Sequence, residues 1–250
     1  MEKIVKNRMV GMETVFKKSK FSWEDYFSDK TKGGHRFSTE EFLAKEAKEK
    51  LFHLNGGKTL LDFGCGAGEL LIYYAPCYEK VVGVDFSSSM LFETEKKVRH
   101  HKYKNVDLIL ADDRTVWEKL DTKFDQITAA GVVQYLTPEQ VDSFIRNASA
   151  YLNEDGKISF FDIIDPRLYS LWKIGWFSQN FIHRDIFLRA CTGCVKRISA
   201  FLENRPADII GNSHNPHRIE KIARKNGFRM EYAKSMYYEY RYHAILSKIS

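Results

Sequence analysis

Cysteine is scarce in this chain, with four residues in 250 and none of the regular spacing of a disulfide framework. That excludes a small disulfide-stapled scaffold and leads to the expectation of a reduced, cytoplasmic protein. Cys191-Thr192-Gly193-Cys194 is a lone CxxC with no second pair, so no metal site is expected. No apolar run approaches the length needed to span a bilayer, and residues 1–20 lack the apolar centre of a signal peptide. Internal repeats and low-complexity tracts are also missing, which excludes solenoid and array architectures. Charge of one sign does not dominate. Lys+Arg number 39 against Asp+Glu 33, a net +6, compatible with an anionic substrate, a membrane surface or simple solubility.

The chain does have enough length and apolar content, 44%, to bury one sizeable core. Short apolar runs alternate with helical patterns, which implies a mostly parallel sheet covered on both faces. The most informative stretch is Leu60-Leu61-Asp62-Phe63-Gly64-Cys65-Gly66-Ala67-Gly68. It reads as a buried strand that breaks into a glycine-rich turn, with a helix expected from near Glu69. A turn without Cβ atoms lets its backbone press against a ligand, and the first N–H groups of a helix would face the same space. Next comes Val81-Val82-Gly83-Val84-Asp85, a second buried strand ending on a carboxylate placed to hydrogen-bond the two hydroxyls of a ribose. Together these describe a pocket for a nucleoside-bearing cofactor.

The glycine spacing argues against a nicotinamide or flavin dinucleotide. That fingerprint needs a third glycine where this chain has Glu69, and a carboxylate beside a pyrophosphate is repelled. The pattern Asp62-x-Gly64-x-Gly66-x-Gly68 instead resembles motif I of the class I S-adenosylmethionine (SAM) methyltransferases. SAM carries no phosphate, and its sulfonium cation tolerates nearby acids. The resemblance continues in order through Val106–Asp113 as third strand, Lys123–Leu136 as fourth strand and its exit, and Leu152–Asp162 as fifth strand. It resumes in a helix from Ile219 to Phe228 closing on Gly227, followed by strands around Arg229–Ala233 and Tyr240–Ser247.

What the resemblance implies is an α/β fold: a doubly wound, mostly parallel seven-stranded sheet with helices on both faces, N-terminal lid helices, and a helical insertion after the fifth strand. Residues 1–50 would form the lid, 51–163 the SAM-binding core, 164–213 a substrate lid, and 214–250 the last helix and two strands. SAM would be the cofactor and S-adenosylhomocysteine (SAH) the product. Gly64, Cys65, Gly66, Gly68 and Asp85 would contact it, with Phe86 and Met90 against adenine, Asp112 on the adenine amino group, Asp113 beside it, and Ala130 at the fourth-strand exit. Cys65 reads as a small residue in the turn with no reactive role.

Two stretches outside the shared core should choose the acceptor. Phe21–Phe27 followed by Gly33-Gly34-His35-Arg36 resembles the lid helices of small-molecule methyltransferases. There Arg36 could pair with the methionine carboxylate and Tyr26 could cover the sulfonium, although an exposed salt-bridging arginine is the plainer alternative. The second stretch, Asp165 to about Asn212, interleaves aromatics with bases. Trp172 and Trp176 are its candidate acceptor-positioning residues. It could close over the acceptor, rest on a membrane through residues 169–189, or bury its aromatics against the sheet edge.

An oxygen acceptor needs its proton removed. Related small-molecule enzymes often place a histidine just after the fourth strand, where this chain has Gln134. Gln134 can orient an acceptor by hydrogen bonding, and the base is left to His183, His214 or Asp162. The fourth-strand exit Ala129-Ala130-Gly131-Val132 lacks the Asn/Asp-Pro-Pro-aromatic turn of base-modifying relatives. With no catalytic cysteine motif and no appended RNA-binding module, nucleic acid is disfavoured. The expectation is a SAM-dependent methyltransferase acting on a small-molecule or glycan-type acceptor at oxygen. An RNA methyltransferase, or a SAM-binding subunit without catalysis, are the alternatives.

Overall fold

The computed structural model describes residues 38–177 and 211–249, with positions 191, 192, 194, 195 and 198 between them. Tyr26, Arg36 and His183 lie outside the described residues. Strands β1 (Thr59–Phe63), β2 (Lys80–Asp85), β3 (Val106–Leu110), β4 (Phe124–Ala130) and β5 (Leu152–Ile164) pair in parallel. Strands β6 (Phe228–Lys234) and β7 (Arg241–Lys248) complete the sheet, with β7 antiparallel to both β5 and β6. The order is β3-β2-β1-β4-β5-β7-β6. Strand order reverses between β1 and β4, and open sheets of this kind form their crevice at that switch point.

Alternation along each strand divides the core in two. Leu61, Val82 and Phe160 point to one face, where they pack with Val141, Phe144 and Ile145 of α4 (Pro138–Ala150) and with Ile219 and Ala223 of α5 (Pro216–Lys225). Their neighbours Leu60, Val81 and Phe161 point to the other face. There they meet Ala47 and Leu54 of α1 (Glu40–Leu54), Leu71 and Tyr74 of α2 (Leu71–Tyr74), and Val98 of α3 (Ser88–His100). The period of two thus places helices on both faces, the doubly wound architecture expected from the sequence. No helix among the described residues is long and apolar enough to cross a membrane.

One local reading needs correction. The helix expected from near Glu69 is a single turn, Leu71–Tyr74, followed by a 3-10 turn over Ala75–Cys77 that contains Pro76. Proline has no N–H with which to continue the α-helical ladder. One turn is too short for its N-terminus to contribute much to a binding site. Strand β5 is interrupted by a bulge. Its pairing with β7 shifts register between Phe160 and Ile163, and Asp162, inside this bulge, has φ +59°. Bulges re-aim side chains beside functional sites, and this one turns Asp162 toward the crevice.

Candidate functional site

The carboxyl ends of β1, β2, β3, β4 and β5 surround a pocket of about 450 Å³, within the roughly 300–1,000 Å³ range of small-molecule sites. Gly64, Cys65, Gly66, Asp85, Phe86, Met90, Asp112, Asp113, Ala130, Gln134 and Asp162 all line it. Residues from five strand ends, far apart in the chain, thus converge on one cavity.

The glycines do two different jobs. Gly64, at φ +74°, would place a Cβ 2.3 Å from Val132 Cγ2, so its role is to let the β1 turn pack on the β4 exit. Gly68 would similarly collide with Thr94 of α3, and it does not line the pocket. Gly66, at φ +57°, would meet nothing nearer than Glu69 Oε2 at 3.9 Å. It alone of the three leaves open space on the ligand side. Gly64 and Gly66 both line the pocket, and Gly64 has a packing duty on Val132 besides.

Asp85 fastens this turn to the tip of β2. One carboxylate oxygen accepts the Gly66 N–H at 2.9 Å and the other the Ser87 N–H at 2.8 Å. The carboxylate retains acceptor capacity beyond these backbone donors, as a ribose contact requires. Burial pushes the Asp85 carboxyl upward, and the backbone N–H groups of Ser87, Gly66 and Phe86 oppose that shift. Asp62, buried beneath the turn, is pushed up to about 7 by burial and then by the charge of Asp85. Cys65 is buried and its thiol is raised well above its ordinary value by burial, consistent with an inert small residue.

On the adenine side of the expected site, Met90 is 2% exposed and Phe86 37%. The Asp112 carboxylate turns back on its own loop, accepting from the Thr115 hydroxyl at 2.7 Å and from the Thr115 and Arg114 backbone N–H groups. Against a burial effect that acts upward, these bonds and the Arg114 side chain hold Asp112 down to about 2. Asp113 accepts a bond from the Gln140 side chain at 3.3 Å. Asp112 therefore shapes the rim of the pocket as well as lining it.

At the other end stands a buried ionic network with no signal in the sequence. Lys50, fully buried in α1, lies 2.9 Å from Glu46 and 2.8 Å from Asp162. The Asp162 backbone N–H lies 3.1 Å from His243 Nδ1, and the Nε2 of that ring lies 3.1 Å from Glu49 Oε1. The Ser235 hydroxyl donates to Asp162 Oδ1, and Arg241 donates to the Asp162 carbonyl at 2.6 Å. Both ends of a strained residue are thus held, which is how left-handed non-glycine backbone persists. Burial acts upward on Asp162, but Lys50 and His243 hold its carboxyl below the ordinary value. Asp162 lines the pocket as an ion-pair partner, an unsuitable state for a general base near neutral pH.

His214 is placed behind the pocket wall. Its Nε2 lies 3.0 Å from the Val133 carbonyl and 3.1 Å from that of Leu136, pinning the turn that carries Gln134. Burial lowers its pKa, against the two carbonyl contacts. It is a positioning residue for the turn. Replacing His214 by phenylalanine removes one contact from each of two carbonyls that keep another donor, the Leu136 N–H on Val133 and the Asn212 side chain on Leu136, a loss of about 0.5–1.5 kcal/mol measurable by urea unfolding. A lowered histidine pKa means that the unfolded chain takes up the proton first, so this group's stability contribution fades as pH falls below about 6.5. The variant is expected to lose less stability than the wild type between neutral pH and about pH 5. Trp172 and Trp176, 39% and 57% exposed, lie outside the pocket lining, although Trp172 packs 4.6 Å from Tyr240, which does line it.

A family model described as "Methyltransferase domain" matches residues 61–158. Among curated relatives, the probable (S)-tetrahydroprotoberberine N-methyltransferase 2 of Papaver bracteatum is 35% identical over 118 residues, covering 45% of this chain and 32% of that one. The cyclopropane-fatty-acyl-phospholipid synthase of Escherichia coli K12 is 28% identical over 180 residues, covering 71% of this chain and 43% of that one. The chain spans between 32% and 45% of the first three curated relatives it matches. Magnesium protoporphyrin IX methyltransferase from Synechocystis PCC 6803, solved with SAH, superposes with a TM-score of 0.59 at 19% identity, over 91% of this chain and 97% of that one. That likeness concerns the fold. Residues 61–158 match a methyltransferase domain, and the motif, sheet order and pocket agree with the class I SAM-dependent methyltransferase fold. SAM is the cofactor of that family. The open cradle at Gly66, the carboxylate at the tip of β2 and the acid-rich wall fit a cationic, ribose-bearing group.

Proposed function

We propose that the protein transfers the methyl group of SAM to a small polar acceptor received at the β4–β5 end of the pocket, with Gln134 orienting the nucleophile. The observation that carries this reading is the state of Gln134. Its side chain lines the pocket at 7% exposure, and its buried amide oxygen has no hydrogen-bond partner among the described residues. Leaving such a group unpaired costs about 1–3 kcal/mol, and an acceptor O–H or N–H supplies the missing donor. When bound, SAM supplies a methyl group already activated by its sulfonium charge. The chain's own part is alignment and exclusion of water, for which Val132, Leu136 and Tyr240 form apolar wall.

Base catalysis finds little support among the described residues. His214 faces backbone carbonyls and Asp162 is committed to Lys50. The expected attack at oxygen therefore calls for an acidic hydroxyl such as a phenol or carboxylic acid, or for His183. A nitrogen acceptor with a free electron pair needs no base, and a relative named as an N-methyltransferase makes amines a second class to try. Sugars form a further class to try, because Asp162-Ile163-Ile164-Asp165-Pro166 and Tyr240–Leu246 resemble the corresponding stretches of bacterial methyltransferases acting on sugars.

The test is transfer of label from methyl-labelled SAM to a panel of amines, phenols, carboxylic acids and sugars. Label is expected on one class. Gln134→Ala should lower kcat by about tenfold or more while leaving SAH affinity unchanged. Tight SAH binding with no label on any class contradicts the proposal.

A further inference from the structure

Among the described residues lining the pocket, seven carry carboxyl groups and Arg241 is the only base. Arg241 opens β7, three strands along the sheet from β1, which puts it roughly 14 Å from the glycine turn at strand spacing. One guanidinium nitrogen is fixed by the Asp162 carbonyl. Its Cζ lies 5.5 Å and 5.3 Å from the ring centroids of Tyr238 and Tyr240, both of which also line the pocket. Yet its Nε is buried with no acceptor, and no described carboxylate forms an ion pair with it. Bracing the β5 bulge uses one of five donors, so that structural duty leaves most of the group unexplained.

A guanidinium immobilised in this way, with unfilled donors at a cavity wall, is preorganised for an oxyanion, which it can grip through two parallel N–H bonds. The acids around the rest of the pocket repel an anion everywhere else, so its place is fixed by exclusion as well as by attraction. We infer that Arg241 anchors the acceptor by an oxyanion, carboxylate or phosphate, and so determines which small molecules are methylated. This inference rests on the methyl-transfer reading above. The two tyrosine rings beside the guanidinium offer surface to the apolar or aromatic body carrying that anion.

The test uses the full chain saturated with SAH and titrated calorimetrically with 4-hydroxybenzoate, phenyl phosphate and the neutral 4-hydroxybenzamide. The wild type is expected to bind at least one oxyanion about tenfold or more tighter than the amide, and the better of the two identifies the anion. Arg241→Gln should abolish that preference, Arg241→Lys should keep part of it, and SAH affinity should be unchanged in both. Equal or undetectable binding of the three probes by the wild type overturns the inference, as does a preference that survives Arg241→Gln. A fall in SAH affinity in Arg241→Gln also overturns it, because it would place Arg241 on the cofactor's own carboxylate. Failure of the wild type to bind SAH would strike instead at the methyl-transfer reading itself.

Discussion

Replacing Lys50 by methionine is expected to lower the unfolding free energy by about 3–5 kcal/mol. The ammonium is fully buried between Glu46 and Asp162. Burial acts to lower the Lys50 pKa, and the two carboxylates more than reverse it, holding the group charged. Methionine fills similar space but leaves two buried carboxylates facing each other without a cation. For a protein of this size the loss corresponds to a melting point lower by roughly 6–20 °C, read by thermal and urea unfolding at pH 7. Adding Asp162→Asn to Lys50→Met removes one orphaned charge and should recover part of the loss. A change below about 1 kcal/mol in Lys50→Met would mean that water reaches the network and screens it.

Replacing Asp85 by alanine should weaken SAH binding by about 100-fold or more. The carboxylate is asked to accept two ribose hydroxyls, and bonds to a charged acceptor contribute about 1.5–3 kcal/mol each. The same change removes the acceptor of the Gly66 and Ser87 N–H groups, so the turn loosens and some stability is lost with it. Asp85→Asn separates the two effects, because the amide oxygen still accepts one loop N–H while the charge is gone. Calorimetric titration of both variants, each shown folded by circular dichroism, checks the expectation. Unchanged SAH affinity in Asp85→Ala would remove the ribose role and leave Asp85 as a loop fastener.

The cofactor half of the site could be read from the sequence because its signals are local. β1 and β2 are apolar on both faces, the turn follows within a few residues, and the acid closes the next strand. What the glycines do could not be read locally. Gly64 and Gly68 are required by Val132 and Thr94, partners from other elements of the chain. The acceptor half was harder still. Glu46, Glu49 and Lys50 occur in a run that looks like a solvated helix face, and they are buried because α1 packs across β5 and β7. The Glu49–His243 contact joins residues 194 positions apart. The β5 bulge, which turns Asp162 into that network, depends on register against β7. Neither glycine nor proline marks it in the sequence.

The structure of the protein crystallised with SAH tests the assignment most directly. The ribose hydroxyls are expected within hydrogen-bond distance of Asp85, the adenine beside Phe86, Met90 and Asp112, and the homocysteine sulfur facing the side of the pocket that holds Gln134. An empty pocket at saturating SAH, or SAH bound away from the Gly64–Gly68 turn, would contradict the reading of this crevice as a methyl-transfer site.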